Sequence, residues 1–374
     1  MTEKKVIILG SGFSKALHGS MLMTNELTEL VDKKMKSHEK TEIQNFWEKH
    51  ITKKNIGNIS NPNEGNFEEI LSYLDDCHAW KGGFTKLEHE MLYKAVIPEI
   101  AKVIEKASET INYKELLEKD GGWLKKFIDK IQTEKISVIT FNYDLILESL
   151  LTESERENLQ ESFFHFQRYY AIFCRSILAK SGVVPDVGAD SDFEIRPTIF
   201  KLHGSINWFY KNSHEVLFDE TSILEEEEIN HWHINEELSQ GRIRRVKEYY
   251  SQLLIPPTQN KTPGYLNIEP IKQQWVEAAQ LLSEASKVCI IGYSSPATDI
   301  STNLMLQSAL NRDDCEVVVC FKKSGEKDKT EERYKDQILP GKSNFKFYRE
   351  GFCKEFVENF CQLFSAQAAL HKAA

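Results

Sequence analysis

The amino-acid sequence predicts an α/β fold in which a parallel sheet lies between helices. Short runs of aliphatic and β-branched residues end at glycine or polar residues, a pattern typical of strands buried on both faces. Helical patterns separate most of these runs, which favours a doubly wound, Rossmann-like parallel sheet. Glycine and small polar residues follow four of the runs, at the edge where such sheets bind ligands. The predicted strands are Val6–Leu9, Ile136–Phe141, Thr198–Leu202, Ser286–Ile291, Glu316–Phe321 and Phe345–Tyr348.

A large helical insertion is predicted between the first two strands. Because several helices in succession cannot all lie on one face of a sheet, we expect a helical subdomain over residues 20–135 within a single domain of residues 1–374. We expect the polar residues 211–267 to form a surface excursion. We expect a C-terminal helix within residues 351–374, whose apolar side either packs in the core or forms the contact between subunits of an oligomer. The predicted helices are Asn25–Lys36, Phe67–Ala79, Lys86–Ser108, Lys114–Ile131, Asp144–Leu151, Gln167–Lys180, Ile271–Ala285, Thr298–Asn311 and Cys353–Gln367.

Composition argues against several classes of protein. The net charge of −10 is opposite to the basic balance that supplies most of the affinity for nucleic acid. The densest basic group, Arg242–Lys247, is interpreted as a solvated helix face. No apolar run is long enough for a membrane-spanning helix. The 7 cysteines are odd in number and form no C-x-x-C pair, which suits a reducing cytoplasm and predicts no zinc or other metal site.

The first strand runs directly into the loop Gly10-Ser11-Gly12-Phe13-Ser14. This loop resembles a dinucleotide-binding G-x-G-x-x-G turn, but Lys15 occupies the place of the third glycine. The two glycines would let the backbone approach a phosphate, with N–H groups directed at it from a helix that begins at Lys15. Ser14 would cap that helix or bind a phosphate oxygen. A purely structural turn remains the alternative for the loop taken alone.

Three further strand ends carry residues suited to chemistry. Asn142 follows the second strand, where a buried amide needs partners for its donors and its acceptor, and a water or ribose hydroxyl would supply them. His203, before Gly204, is the best candidate for a general base because imidazole titrates near neutral pH. Asp144 is suited to capping the next helix. The remaining residues at these strand ends are Thr140, Gly292, Ser294 and Asp299.

Other catalytic motifs fit less well. The fourth cluster, Gly292–Pro296, lacks the second glycine of the G-x-S-x-G nucleophile turn of serine hydrolases. The first loop lacks the Gly-Lys-Ser/Thr end of a Walker A loop. His231 and His233 have no nearby carboxylates at the spacing of a metal site.

The four clusters, in this order, resemble the sirtuin family. Sirtuins carry a G-A-G-x-S loop, a T-x-N-x-D segment, an H-G pair and a late G-x-S loop; here they are Gly10–Ser14, Thr140–Asp144, His203-Gly204 and Gly292–Ser294. The segments FNYDLILE, KLHGSINW and NFEEILSYL resemble those of the bacterial, defence-associated NAD⁺ hydrolase branch. The zinc ribbon of the sirtuin deacylases is missing from this sequence, which argues against protein deacylation.

The resemblance implies that NAD⁺ is a substrate and that the products are nicotinamide and ADP-ribose. It implies that Asn142 and His203 are catalytic, with no zinc. It further implies antiviral defence by abortive infection, a homo-oligomer, and a protein partner such as a HerA-like ATPase or a prokaryotic Argonaute. Two alternatives stay open: an NAD⁺-dependent deacylase or ADP-ribosyltransferase, and a non-catalytic module that senses NAD⁺ or ADP-ribose. The implied cofactor-binding residues are Gly10, Ser11, Gly12, Phe13, Ser14, Thr140, Asp144, Gly292, Ser294 and Asp299.

Overall fold

The computed structural model describes the strands and most of the helices that surround the predicted ligand-binding edge. The predicted helix Phe67–Ala79, the basic group Arg242–Lys247 and the pair His231 and His233 lie outside the described residues. So does much of residues 20–135, and the helical subdomain stays a prediction. The described residues are 3–37, 44–45, 95–155, 169–171, 174–176, 197–211, 223–225, 250–255, 268–297, 299–323, 325 and 328–365.

A six-stranded parallel sheet forms the centre of the fold, in the order β10-β9-β8-β1-β2-β4. The middle strand β1 is buried along its whole length, and its Ile8 lies between Ile139 of β2 and Ile290 of β8. Burial on both faces explains why these strands consist of continuous apolar runs. The predicted fold class and all six predicted strands are confirmed. The strands are β1 Lys5–Leu9, β2 Ser137–Thr140, β4 Ile199–Lys201, β8 Lys287–Ile291, β9 Glu316–Cys320 and β10 Phe345–Tyr348.

Helices flank this sheet and agree with most of the predicted ranges. One prediction at the site is wrong: α1 begins at Ser11 and not at Lys15, because the chain turns into the helix directly after Gly10. None of the described helices is long and apolar enough to cross a membrane. The helices are α1 Ser11–Leu17, α2 Thr24–Lys36, α3 Ile97–Ser108, α4 Tyr113–Thr133, α5 Ile146–Glu155, α6 Glu269–Glu284, α7 Ile300–Leu310, α8 Thr330–Arg333, which continues as a π-helical turn over Tyr334–Ile338, and α9 Lys354–Leu363.

A second, smaller sheet has the strand order β3-β6-β5-β7. It corrects the helix predicted over Gln167–Lys180, because Cys174–Ser176 is strand β3 and pairs with β6, Ile223–Glu225. Pairing with a distant strand decides the conformation here, and local periodicity cannot reveal it. The other two strands are β5, Gly204–Lys211, and β7, Tyr250–Leu254. Within the range predicted as a surface excursion, β7 buries Leu253 and Leu254.

The C-terminal helix α9 closes one face of the main sheet. Its side chains Phe356, Val357 and Phe360 are buried against α4 and the sheet, with the Phe360 ring 5.0 Å from that of Phe127. The apolar side of α9 is therefore part of the core and does not form an exposed seam.

Candidate active site

A cleft opens at the carboxyl edge of the main sheet, where β1, β2, β4 and β8 end. Its empty volume is about 900 Å³, which includes the part that is open to solvent. One wall is formed by strand-end loops, and the opposite wall is apolar and comes from α2, α3 and the turn before α2. The lining residues are Gly10, Ser11, Met21, Leu22, Leu27, Ile104, Ala107, Phe141, Asn142, Tyr143, Asp144, His203, Gly292, Tyr293, Ser294, Pro296 and Asp299.

The loops after β1 and β8 pack against each other without space for side chains. A Cβ atom on Gly10 would lie 2.6 Å from Gly292 O, and one on Gly12 would lie 2.8 Å from Gly292 Cα. Gly292 itself has a φ of +66°, a conformation that favours glycine. These glycines join the two loops, so their first role is to build the cleft wall.

The same packing uses most of the N–H groups that were predicted to bind phosphate. Gly10 N–H donates to Ile291 O (3.0 Å), Gly12 N–H to Gly292 O (2.9 Å) and Phe13 N–H to Gly10 O (2.9 Å). Ser11 lines the cleft, and its N–H is the donor that this loop can still offer to a ligand, since the Ser11 hydroxyl donates to Met23 Sδ at 3.9 Å. The loop is therefore a weaker anion site than its glycine pattern indicates.

We expect Gly292→Ala to lower the free energy of unfolding by about 2–5 kcal/mol. The added methyl group would collide with the Phe13 backbone, and the alanine would have to adopt a left-handed φ. Gly341→Ala is the matched control: its φ is +72°, but no atom lies within 4 Å of the added Cβ. The free energy of unfolding of that variant should fall only by the cost of the left-handed φ, about 1–2 kcal/mol. Urea denaturation measures both, and equal losses would contradict the close-packing role.

A chain of hydrogen bonds fixes Asn142. Its amide Nδ2 donates to Gly10 O (3.0 Å) and to Ser14 Oγ (3.2 Å), and Ser14 Oγ donates in turn to Asp144 Oδ2 (2.8 Å). The backbone N–H of Asn142 donates to Thr140 Oγ1 at 3.1 Å. With Nδ2 fixed in this way, Asn142 presents its Oδ1 as an acceptor on the cleft wall.

Asp144 lies at the end of this chain and is almost completely buried. Its Oδ1 accepts from Ile146 N–H at 3.2 Å, so Asp144 provides a partner for the first N–H of α5 from two residues before the helix. Burial raises the pKa of the Asp144 carboxyl, and the Lys201 ammonium and the Ser14 hydroxyl partly offset this rise. Asp144 therefore serves first as an acceptor that holds Ser14, and through Ser14 it positions Asn142.

A buried ion pair, Lys201 with Glu148, stabilises the hydrogen-bonded side chains that hold Asn142. Lys201 at the end of β4 has a completely buried side chain, and its Nζ donates to Glu148 Oε1 (2.8 Å) and to Asp144 O (2.6 Å). The Tyr170 hydroxyl also donates to Glu148 Oε1, at 3.2 Å. Lys201 thus fixes the end of β2 to the end of β4, the two strands that carry Asn142 and His203.

His203 follows β4 and lies among aromatic rings. Its ring centre is 5.2 Å from that of Phe141, 6.3 Å from Tyr143 and 6.2 Å from Trp275, and the residue is 4% exposed. These rings hold the imidazole in place at the cleft and shield it from bulk water. The arrangement suits a proton acceptor that acts on a ligand inside the cleft.

The loop after β8 completes the wall that the strand-end loops form. Tyr293 OH donates to the buried Asp299 carboxylate at 2.8 Å, and Tyr334 OH donates to Tyr293 O at 2.9 Å. Burial, followed by the charge of Asp299, raises the pKa of Tyr293 well above its ordinary value, so the phenol keeps its proton. Asp299 is therefore held as an acceptor at the cleft surface.

Comparison with known families identifies the chain. The model of the SIR2-like domain matches residues 136–339, which is more than half of its length. The chain belongs to the SIR2-like domain family. The matched range includes Asn142, Asp144, His203 and the loop after β8.

Solved structures similar to this SIR2-like chain are sirtuins. Sir2Tm bound to a propionylated peptide is 12% identical over 96% of this chain and 92% of that chain, with a TM-score of 0.34. A Sir2 in complex with an inhibitor, 2′-O-acetyl-ADP-ribose and a deacetylated peptide is 10% identical over 96% of this chain and 93% of that chain, with a TM-score of 0.34. A Sir2 from work on mechanism and regulation is 11% identical over 98% and 95%, with a TM-score of 0.38. No curated protein matches the chain.

The structure of the SIR2-like chain brings most of the predicted site residues to one cleft. Four do not line it: Gly12 packs on Gly292, Phe13 is in the core beside Phe352, and Ser14 and Thr140 lie behind Asn142. Among the described residues there is no group of three or more His, Cys, Asp or Glu side chains that could hold a metal ion. The predicted residues that line the cleft are Gly10, Ser11, Asn142, Asp144, His203, Gly292, Ser294 and Asp299.

Sequence reasoning missed the supporting residues. Lys201 and Glu148 gave a usable signal, because a charged residue inside an apolar strand or helix must find a buried partner. Tyr293 lies within the predicted Gly292–Ser294 cluster, but no role was predicted for its hydroxyl. The apolar wall of Met21, Leu27 and Ile104 gave none, since these side chains look like ordinary core positions.

Proposed function

We propose that this SIR2-like chain hydrolyses NAD⁺ at the N-glycosidic bond and releases nicotinamide and ADP-ribose. The observation that carries the proposal is the placement of Asn142 and His203 on one cleft, beside the paired glycine loops. A non-catalytic sensor would need neither a fixed amide nor an imidazole at the same point.

The proposed reaction needs little chemistry from the protein. The bond from the ribose anomeric carbon to the nicotinamide nitrogen breaks with its electron pair, so nicotinamide leaves as a neutral molecule. Asn142 Oδ1 accepts a hydrogen bond from the attacking water or from a ribose hydroxyl. His203 takes the proton that this water loses as its oxygen bonds to the anomeric carbon. Positioning and electrostatic stabilisation of an oxocarbenium-like ribose supply the rate enhancement.

We further propose that the activity is controlled by assembly, either of several copies or with a partner encoded nearby. An enzyme that consumes NAD⁺ without control would kill its own cell. The resemblance to the defence-associated branch supports a role in which infection releases this control.

Incubation of the full chain with NAD⁺, followed by chromatography for nicotinamide and ADP-ribose, tests the proposal. The reaction is run with and without the product of the neighbouring gene. Release of both products without any peptide supports hydrolysis. A product that forms only with an acylated peptide would indicate a deacylase, and tight NAD⁺ binding without turnover in the assembled state would indicate a sensor.

A further inference from the structure

Arg333, at the end of α8, is held against the cleft wall. Its Nε and Nη2 donate to the carbonyl oxygen of Ser294 at 3.1 Å and 2.9 Å, and Nη2 also donates to Thr330 Oγ1 at 3.2 Å. Ser294 lines the cleft. The guanidinium is therefore fixed next to a residue that lines the cleft, and Nη1 has no hydrogen-bond partner among the described residues.

No carboxylate among the described residues pairs with Arg333. The nearby Lys335 and Arg349 both pair with Glu331, at 2.6 Å and 2.7 Å. Across the part of the chain that the structure describes, no carboxylate lies within ion-pair distance of Arg333, although the protein carries a net charge of −10. An arginine keeps its charge at any physiological pH, so this position offers a permanent cation to an anionic ligand.

A dinucleotide at this edge needs such a cation. The N–H groups of Gly10, Gly12 and Phe13 are used within the protein, and Ser11 alone offers few donors for two negative phosphates. The sheet order β4-β2-β1-β8 places His203 and Asn142 on one side and the Ser294 loop on the other. Three strand spacings, roughly 14 Å, separate the end of β4 from the end of β8, and two spacings, roughly 10 Å, separate the end of β2 from it. These separations are enough for a ribose and the phosphates that follow it.

We propose that Arg333 binds the diphosphate group of the dinucleotide and replaces the N–H cradle that the first loop lacks. This inference rests on the proposed function for the orientation of the ligand. Arg333 Nη1 carries two N–H donors, which can form charge-assisted hydrogen bonds with phosphate oxygens.

Calorimetric titration with ADP-ribose tests the role of Arg333 without requiring turnover. We expect Arg333→Gln to weaken ADP-ribose binding about 10- to 100-fold, and Arg333→Lys, which keeps the charge, to weaken it less. Lys335→Ala removes one positive charge from the adjacent turn, where Glu331 already pairs with it, and should bind like the wild type. The dissociation constant of the wild type should also rise more steeply with NaCl than that of Arg333→Gln.

Glutamine keeps a donor for Ser294 O, so it separates a supporting role from a charge role. If Arg333→Gln binds ADP-ribose as tightly as the wild type, with the same salt dependence, the inference is overturned. Measurement of NAD⁺ turnover distinguishes failure of this inference from failure of the proposed function. A wild type that binds ADP-ribose but does not cleave NAD⁺ would overturn the hydrolase and not the role of Arg333. If the wild type cleaves NAD⁺ and Arg333→Gln has the same KM, the proposed role of Arg333 is overturned and the proposed hydrolase activity stands.

Discussion

Replacement of Asn142 by alanine is expected to lower kcat for nicotinamide release by about 10²- to 10⁴-fold. The amide of Asn142 is fixed by Gly10 O and Ser14 Oγ, so its Oδ1 is held ready for water or a ribose hydroxyl. A methyl group cannot replace this acceptor. His203→Ala should cause a loss of the same size, because it removes the proposed proton acceptor. Initial rates from chromatography of nicotinamide measure both variants.

Asn359→Ala is the control for this prediction. Asn359 is an exposed asparagine on α9 whose Nδ2 donates only to the helix carbonyl of Glu355 (2.8 Å) among the described residues. Its replacement should leave kcat unchanged. Circular dichroism and the urea midpoint establish that each variant is folded. Full turnover by folded Asn142→Ala or His203→Ala would remove that residue from the mechanism.

The second large effect is expected at Lys201, on stability. Lys201→Met leaves Glu148 as a buried carboxylate without its cation, and loss of one partner of a buried ion pair costs about 3–5 kcal/mol. A domain of ordinary stability has only about 5–15 kcal/mol in total. We therefore expect this variant to unfold at much lower urea, or to fail to fold at growth temperature.

Two further variants separate burial from charge. Replacement of both partners, Lys201→Met with Glu148→Leu, should recover part of the loss, because no unpaired charge then remains in the core. Lys125→Met removes one partner of the exposed pair with Asp129 and should cost less than about 1 kcal/mol. A urea midpoint for Lys201→Met equal to that of Lys125→Met would show that the buried pair contributes nothing.

The main sheet could be predicted because its strands are buried on both faces. Such strands need a continuous apolar sequence, and that signal is local, as Val6–Leu9 and Val317–Val319 illustrate. Strand β3 was missed because Cys174–Ser176 is short and owes its conformation to Ile223–Glu225, far along the chain. The start of α1 was misplaced because the first loop was expected to extend to Ser14.

The site was predictable for a topological reason. Parallel strands bring their carboxyl ends to one edge, so residues that follow different strands, such as Asn142 and His203, are placed together by the fold. Arg333 follows no strand directly and reaches the edge only because α8 returns across the end of β8. Nor does sequence show that the N–H groups of Gly12 and Phe13 are already used. Gly12 N–H donates to Gly292 O, 280 residues away, and Phe13 N–H donates to Gly10 O.

The interlocked loops after β1 and β8 have a consequence for the newly made protein. Gly10 and Gly12 are synthesised about 280 residues before Gly292 and Ser294, which close the cleft. A ribosome-bound chain without these residues has Asn142 and His203 but only part of the wall that would hold a dinucleotide. Synthesis itself thus delays the completed cleft until the loop after β8 has been made.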